Sequence, residues 1–340
     1  MTEIAETKPK RAKRATLKAI ENMGKLPEVP SSDNPREELR RLVLQHKAIT
    51  KAAVSIDNMA RHKKNRETGE EITCRLPEDI MMDLQETAKR QRGKAAKLES
   101  AMLRQLRQVP IYNLFLKDVF GVGPIVASYL VSDIDIHRAT KPSSLRMFCG
   151  LAVQDGRLVR RVKGQKSTYS SEMRTRLYQA FGAMWKNAAK RSKQFPNGCS
   201  CKYLQIWENY KTRQLASGRV VDGRIQRIVN GELGTAKNDS VSAKGFVHST
   251  GWHKAADVFL CDLYTIWRAL EGLPVWPTYV AWITGYAHGG KPTMNEPVAM
   301  TVEQAIAEVG NVKAFARAVP VADSEITNDE EDESEVVAAE

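Results

Sequence analysis

The residues best suited to chemistry lie between Leu116 and Val131. An apolar run at helical spacing (Leu116, Val119, Phe120) stops at Gly121-Val122-Gly123-Pro124, and a second (Ile125, Val126, Ala127, Leu130, Val131) begins directly after the proline. Glycine reaches the positive φ angles of a tight turn, and proline suits the first turn of a helix, where its missing N–H has no intrahelical partner anyway. The spacing therefore predicts two short helices joined by a hairpin. The amides of Ile125, Val126 and Ala127 would point outward at the positive end of the second helix, a ready anion site. An ordinary helical hairpin with a Gly-Pro turn would leave the same pattern, and both readings stay open on these residues.

The pattern resembles the helix-hairpin-helix module. That resemblance implies a grip on a nucleic-acid backbone phosphate without sequence reading, with Val122 as the inward apolar plug and Ala127 allowing close helix approach. Gly121, Val122, Gly123, Ile125 and Val126 are the candidate binding residues of the hairpin. A second candidate set comes after it. Between Gly156 and Lys193 the chain has eleven Lys or Arg and one acid, Glu172. Arg157, Arg160, Arg161, Lys163 and Lys166, with Arg174, are placed for phosphate contact, which gives affinity and salt dependence rather than sequence choice.

Metal chemistry has weaker candidates. Cys199 and Cys201 with His248 and His253 supply four zinc ligands of acceptable type, but C-x-C is tighter than the usual C-x-x-C and the two pairs are far apart. Loop cysteines and polar histidines are the default. Asp133, Asp135 and Asp155 could gather a divalent ion for phosphodiester chemistry, yet short acidic turns at helix ends are far more frequent. No Walker-type loop, His-Glu-x-x-His or Gly-x-Ser-x-Gly is present, and no cofactor is expected. All six tryptophans fall between 185 and 282, most at helical core spacing, leaving one or two for stacking on bases.

Composition bounds the partner. The chain has 340 residues, 42% hydrophobic and 27% charged, enough for one large or two ordinary folded domains. Its formal charge is +12, and the nine acids from Asp323 to Glu340 mask a charge of +21 on residues 1 to 322. Such a surplus points to a polyanion. Nothing favours a membrane: the N-terminus has no apolar segment, and no run reaches about 18 apolar residues. Five cysteines without a secretion signal suggest a reducing, cytoplasmic setting. The partner expected is DNA, or a structured RNA.

These residues need elements to position them. Residues 1–35 read as a disordered basic arm that could lie along phosphates, or as a plain solvated tail. Residues 36–108 read as a helical hairpin or coiled coil: Leu39, Leu42, Val43, His46, Ile49, Ala53 and Ile56 share one helix face, and Ile80, Leu84, Ala88, Gln91, Ala95, Leu98, Met102 and Leu106 recur at near-heptad spacing. An antiparallel hairpin within the chain and a homodimer through residues 36–108 are both open.

Residues 109–290 then form the helix-hairpin-helix domain. It contains a helix over Leu145–Cys149, one small β-hairpin about Asp155-Gly156, and a helix over 168–191 burying Met173, Leu177, Phe181, Met184, Trp185 and Ala188. Further helices are expected over Lys202–Leu215 and from Gly251 or Trp252 to Glu271, with loops over 216–249. Residues 291–320 are a C-terminal region with a helix over Thr301–Val319, and 321–340 a disordered acidic tail that could compete for the basic surface. The fold class is mainly α.

The ordered blocks resemble a known family. Two long helices precede Gly121-Val122-Gly123-Pro124, then Phe148-Cys149-Gly150-Leu151, Gly156 through Arg161, Gly164-Gln165-Lys166 and Tyr169. The helix bearing His253, Phe259-Leu260, Leu263, Trp267-Arg268 and Glu271-Gly272-Leu273-Pro274 comes last. Over roughly residues 80–275 this is similar to the C-terminal half of the DEDD-type insertion-sequence transposases, which a bridge RNA guides. The resemblance implies a transposase-like, DNA-handling protein of a mobile element with a role in DNA recombination and transposition. Family members carry a RuvC-like nuclease domain ahead of the coiled coil, whereas residues 1–79 are too short for one and lack its strand-and-helix alternation. The family's nucleophilic serine would fall just after Gly150-Leu151, where this chain reads Ala152-Val153-Gln154-Asp155-Gly156-Arg157. Ser167, Ser170 and Ser171 lie close enough to substitute, though cap and turn roles are the commoner use. Two alternatives remain: an active recombinase using one of those serines or a nuclease domain in trans, and a helical protein-interaction scaffold.

Overall fold

The structure, a computed structural model, describes residues 34–60, 63–64, 71–72, 77–154, 157–159, 161–162, 164–190, 195, 198–216, 220–221, 224–229, 232–235, 243–278 and 296–316. The basic arm, but for its last two residues, and the acidic tail lie outside these.

Two long helices come first, α1 (Pro35–Ala60) and α2 (Glu78–Leu106). Asn34 caps α1, its Oδ1 accepting from the Arg36 amide at 3.0 Å, and Pro35 fills the first turn. Between them Lys63–Lys64 (β1) pairs antiparallel with Glu71–Ile72 (β2). Leu39, Leu42 and Val43 at the start of α1 share a core with Met102 and Leu106 at the end of α2. Ile56 and Ala60 at its other end pack with Leu84 and Ala88. The pair is therefore an antiparallel hairpin within the chain, closed along the near-heptad seam.

A short helix α3 (Pro110–Leu114) and one 3₁₀ turn (Leu116–Asp118) lead into the glycine turn and α4 (Pro124–Asp133). Helix α4 is buried over Val126 to Ser132 and fixed at its C-terminal end. There the Arg36 guanidinium donates to the Ile134 and Val131 carbonyls at 2.6 and 3.3 Å, satisfying the orphan acceptors of the last turn. Lys47 adds an ion pair to Asp133 at 2.7 Å.

Helix α5 (Pro142–Phe148) precedes the small hairpin of β3 (Val153–Gln154) and β4 (Arg157–Leu158), at the expected place; its Asp155-Gly156 turn lies outside the described residues. The helix expected over 168–191 is divided into α6 (Ser171–Leu177), a π-helical turn (Tyr178–Gly182) and α7 (Met184–Ala189). A π turn holds one residue more than an α turn and so rotates the face beyond it. Beyond it Met184 and Ala188 are buried as expected, whereas Trp185, also expected inside, is 42% exposed.

Next come β5 (Cys199–Ser200), α8 (Lys202–Ala216), and a three-stranded meander of β6 (Val220–Val221), β7 (Arg224–Val229) and β8 (Glu232–Thr235) where loops were expected. The central helix α9 (Ala243–Leu270) begins about two turns earlier than its apolar periodicity suggests. Its Phe259 ring lies against Phe115, Phe181 and Tyr203, with centroids 6.0, 5.0 and 5.8 Å apart. Helix α10 (Val302–Val309), opened by a Thr301–Gln304 capping box, ends at Gly310 rather than at Val319. Phe315–Ala316 (β9) then pairs with β5. The fold is mainly α, and among the described residues no helix is long and apolar enough to cross a membrane.

Candidate nucleic-acid interface

Gly121 makes the hairpin turn with φ +93°, and a Cβ there would lie 2.5 Å from the Ala180 carbonyl oxygen. Both conditions require glycine. Val122 comes next, buried as the plug, its amide donating to the Val119 carbonyl at 3.1 Å. Gly123 is the exposed N-cap of α4, in extended conformation with open space where a Cβ would project. The Gly123 carbonyl accepts from the Ala127 amide at 2.9 Å, so Ala127 opens the intrahelical ladder and offers no donor. The amides of Ile125 and Val126 are the first-turn donors without an intrahelical acceptor. They are the donors left for an anion.

This end of α4 opens into a cleft of about 520 Å³ whose other walls include His46, Arg92, Glu99 and Arg176. The Arg176 guanidinium lies 3.7 Å from the Tyr129 ring centroid, donates to Gln179 Oε1 at 3.0 Å, and has a buried Nε without a partner. Arg92 forms an ion pair with Asp57. Beneath, Tyr129 Oη and His46 Nδ1 share a hydrogen bond of 2.8 Å, and His46 Nε2 is 3.2 Å from Glu99 Oε1. Burial pushes the Tyr129 hydroxyl up to about 12, although Arg176 pulls it the other way. The cleft is thus lined by a helix N-terminus and two arginines, Arg92 paired with Asp57 and Arg176 3.8 Å from Glu172, with Glu99 on its wall drawn toward histidine.

The ribbon runs on from α5. Arg161 and Lys166 are exposed and, with Gly164 (φ +83°) and Gln165, line a shallow depression. Arg160 and Lys163 lie outside the described residues, as does the side chain of Arg157. Arg174, expected at a phosphate, also has a structural contact. Its guanidinium donates to the Val159 carbonyl at 2.9 Å and lies over the Tyr169 ring, fastening the ribbon to α6.

The chain matches no known family model, no characterised protein and no solved structure.

The serines near the ribbon are engaged in local structure. Ser167 Oγ donates to the Tyr169 carbonyl at 2.8 Å, and Ser170 caps α6 by accepting from the Met173 amide at 3.3 Å. Ser171 is exposed in the first turn, its carbonyl accepting from Thr175.

The four candidate zinc ligands are not assembled: among the described residues no group of three or more His, Cys, Asp or Glu could hold a metal. Cys199 and Cys201 are buried, and burial pushes the Cys201 thiol up to about 11. His248 Nε2 instead contacts the Gly182 carbonyl at 3.1 Å. His253 lies on the Trp252 ring at 3.8 Å, and its value falls to about 4 because it is buried and near Arg174. Asp133 is committed to Lys47, and Asp135 accepts from the His137 amide at 3.1 Å. Both are helix-end turns.

Sequence reasoning missed Arg92 and Arg176. Arg92 is next to the seam residue Gln91, and Arg176 lies two positions beyond Arg174 on the opposite side of α6; only the fold of the long hairpin against α4 brings the two together.

Proposed function

We propose that this chain binds nucleic acid, DNA in the first place, through backbone phosphates. The observation that carries the proposal is the hairpin. The exposed N-cap Gly123 and the unsatisfied amides of Ile125 and Val126 open into a cleft flanked by Arg92 and Arg176. A helix N-terminus with cations beside it attracts a phosphate without reading a base. The charge of +21 on residues 1–322 and the exposed Arg161 and Lys166 supply the surrounding field. The ordered motifs that resemble the transposase family extend the proposal to a transposase-like role in recombination of a mobile element.

Binding to labelled duplex over a salt series tests it. The wild-type logarithm of affinity should fall linearly with the logarithm of salt, and Arg161→Gln with Lys166→Gln should reduce the slope by about one per lost phosphate contact. Salt-insensitive binding would refute the phosphate grip and favour the scaffold alternative.

A further inference from the structure

Two aromatic side chains take no part in the phosphate grip, one at the first position of the π-helical turn and one three residues beyond its end. Tyr178 and Trp185 are 54% and 42% exposed, on a surface where large aromatics would normally be turned inward. Their rings are nonetheless held in place. The Tyr178 ring covers Gly182, where a Cβ would meet it at 2.5 Å, and stands edge-on to Trp252 at 5.4 Å. The Gly182 carbonyl is in turn held by His248 Nε2, and the His248 ring stands edge-on to Trp185 at 6.0 Å and to Trp207 at 5.4 Å. Trp207 and Trp252 are buried and form the backing. Two half-exposed rings are thus fixed on a rigid aromatic base, with little conformational entropy left to lose on contact.

Their setting is cationic. Lys186 Nζ lies 5.3 Å from the Trp185 ring centroid, and Lys211 Nζ is 5.3 Å from that of Trp207. The sole acid in the stretch from 157 to 193, Glu172, is engaged by Lys47 at 3.0 Å. The aromatic base is also linked to the ribbon through packed side chains. Arg174 holds the Val159 carbonyl and acts electrostatically on His253; His253 lies on Trp252, and Trp252 meets Tyr178.

We infer that Tyr178 and Trp185 form a stacking platform for unpaired bases of a polynucleotide whose phosphates track the basic ribbon. The inference rests on the nucleic-acid reading above and narrows it to a strand with exposed bases. A π face beside a cation fits a ligand that alternates negative charge with flat rings. An apolar protein surface would have to desolvate Lys186 and Lys211 without pairing them.

Three labelled probes test the inference: a mixed-sequence single strand, the same strand with abasic sites throughout, and a blunt duplex. Each is titrated with wild type, with Tyr178→Ala plus Trp185→Ala, and with Tyr178→Phe plus Trp185→Phe. The alanine protein should bind the single strand about tenfold or more weakly, leave the abasic strand and duplex within about twofold, and regain binding in the phenylalanine protein. Circular dichroism checks folding. Because Tyr178 covers Gly182, Trp185→Gln alone is the second variant if the alanine protein does not fold. Undiminished single-strand binding by the alanine protein, or an equal loss on all three probes, would each overturn the platform while leaving the phosphate grip standing. Failure of wild type to bind any probe would overturn the nucleic-acid reading itself, and the platform with it.

Discussion

The Cα of Gly121 faces the carbonyl of Ala180 so closely that a single added methyl would sit 2.5 Å from that oxygen. The hairpin turn before α4 is therefore seated directly on the π-helical turn, and the two candidate surfaces, amide clamp and aromatic platform, share one piece of backbone. Gly121→Ala combines a positive-φ penalty with overpacking against an immobile carbonyl, and should destabilise the fold by about 3 kcal/mol. Gly123→Ala is different, because φ is −78° and the space is open. There the entropy removed from the unfolded chain offsets a poorer N-cap, so stability should stay within about 0.5 kcal/mol. Urea midpoints at constant m check both values, and equal midpoints for the two variants would contradict this role for Gly121.

Arg268, 5% exposed on α9, donates to the Pro274 carbonyl at 2.7 Å and to the Ile136 and Ala139 carbonyls at 3.2 and 3.1 Å. It ties the segment after α4 to the stop of α9. Lysine has a single ammonium in place of a planar fork and cannot serve all three acceptors. Arg268→Lys should cost about 2 to 4 kcal/mol, as buried carbonyls lose charge-assisted donors. Chemical denaturation reads the loss, and a midpoint equal to wild type would show the three carbonyls to be satisfied without the guanidinium.

His253 should make stability acid-sensitive. Burial first, then Arg174, lowers its folded value from 6.5 to about 4, with the Ser249 carbonyl pulling slightly upward although neither ring nitrogen reaches hydrogen-bond geometry. The unfolded chain therefore takes up this proton more readily, and stability falls as pH drops through 6.5, with the loss complete below about 4. Asp257, one turn further along α9, is shifted upward by burial against Arg146 and Lys254, a trend of opposite sign. It is present in both proteins when wild type is compared with His253→Phe. Between neutral pH and the acid end of that window the wild-type melting temperature should fall further than the variant's. Parallel curves would show that His253 does not titrate with folding.

Where one apolar period ran unbroken, the sequence showed the fold: Leu39 to Ile56 and Leu84 to Leu106 mark α1 and α2, and Phe259 to Trp267 the middle of α9. Tertiary forces obscured the rest. The start of α9 contains Lys244, Gly245 and polar residues without a period, yet Gly251 is in contact with the Trp207 ring and the His248 carbonyl accepts from Trp207 Nε1 at 3.4 Å. The π turn has no local signal apart from Gly182, and the apolar period does not show that Trp185, next to the buried Met184, is left half-exposed. At the candidate site the glycines were legible because turn stereochemistry is local. Arg174 stands out by charge alone, and charge does not reveal that one of its N–H groups is bonded to the Val159 carbonyl.

The most direct measurement of the phosphate clamp uses Gly123. Aspartate at this N-cap suits the helix and places a carboxylate over the Ile125 and Val126 amides, filling the anion site from within, whereas alanine leaves it open. Duplex binding by Gly123→Asp and Gly123→Ala at one salt concentration, with thermal melts alongside, isolates the clamp. The aspartate protein should melt at or above wild type yet bind at least about tenfold more weakly, with a salt slope lower by about one contact, while the alanine protein binds as wild type does. Equal binding by the aspartate and alanine proteins would contradict a phosphate clamp at the α4 N-terminus and leave the glycine turn a packing device.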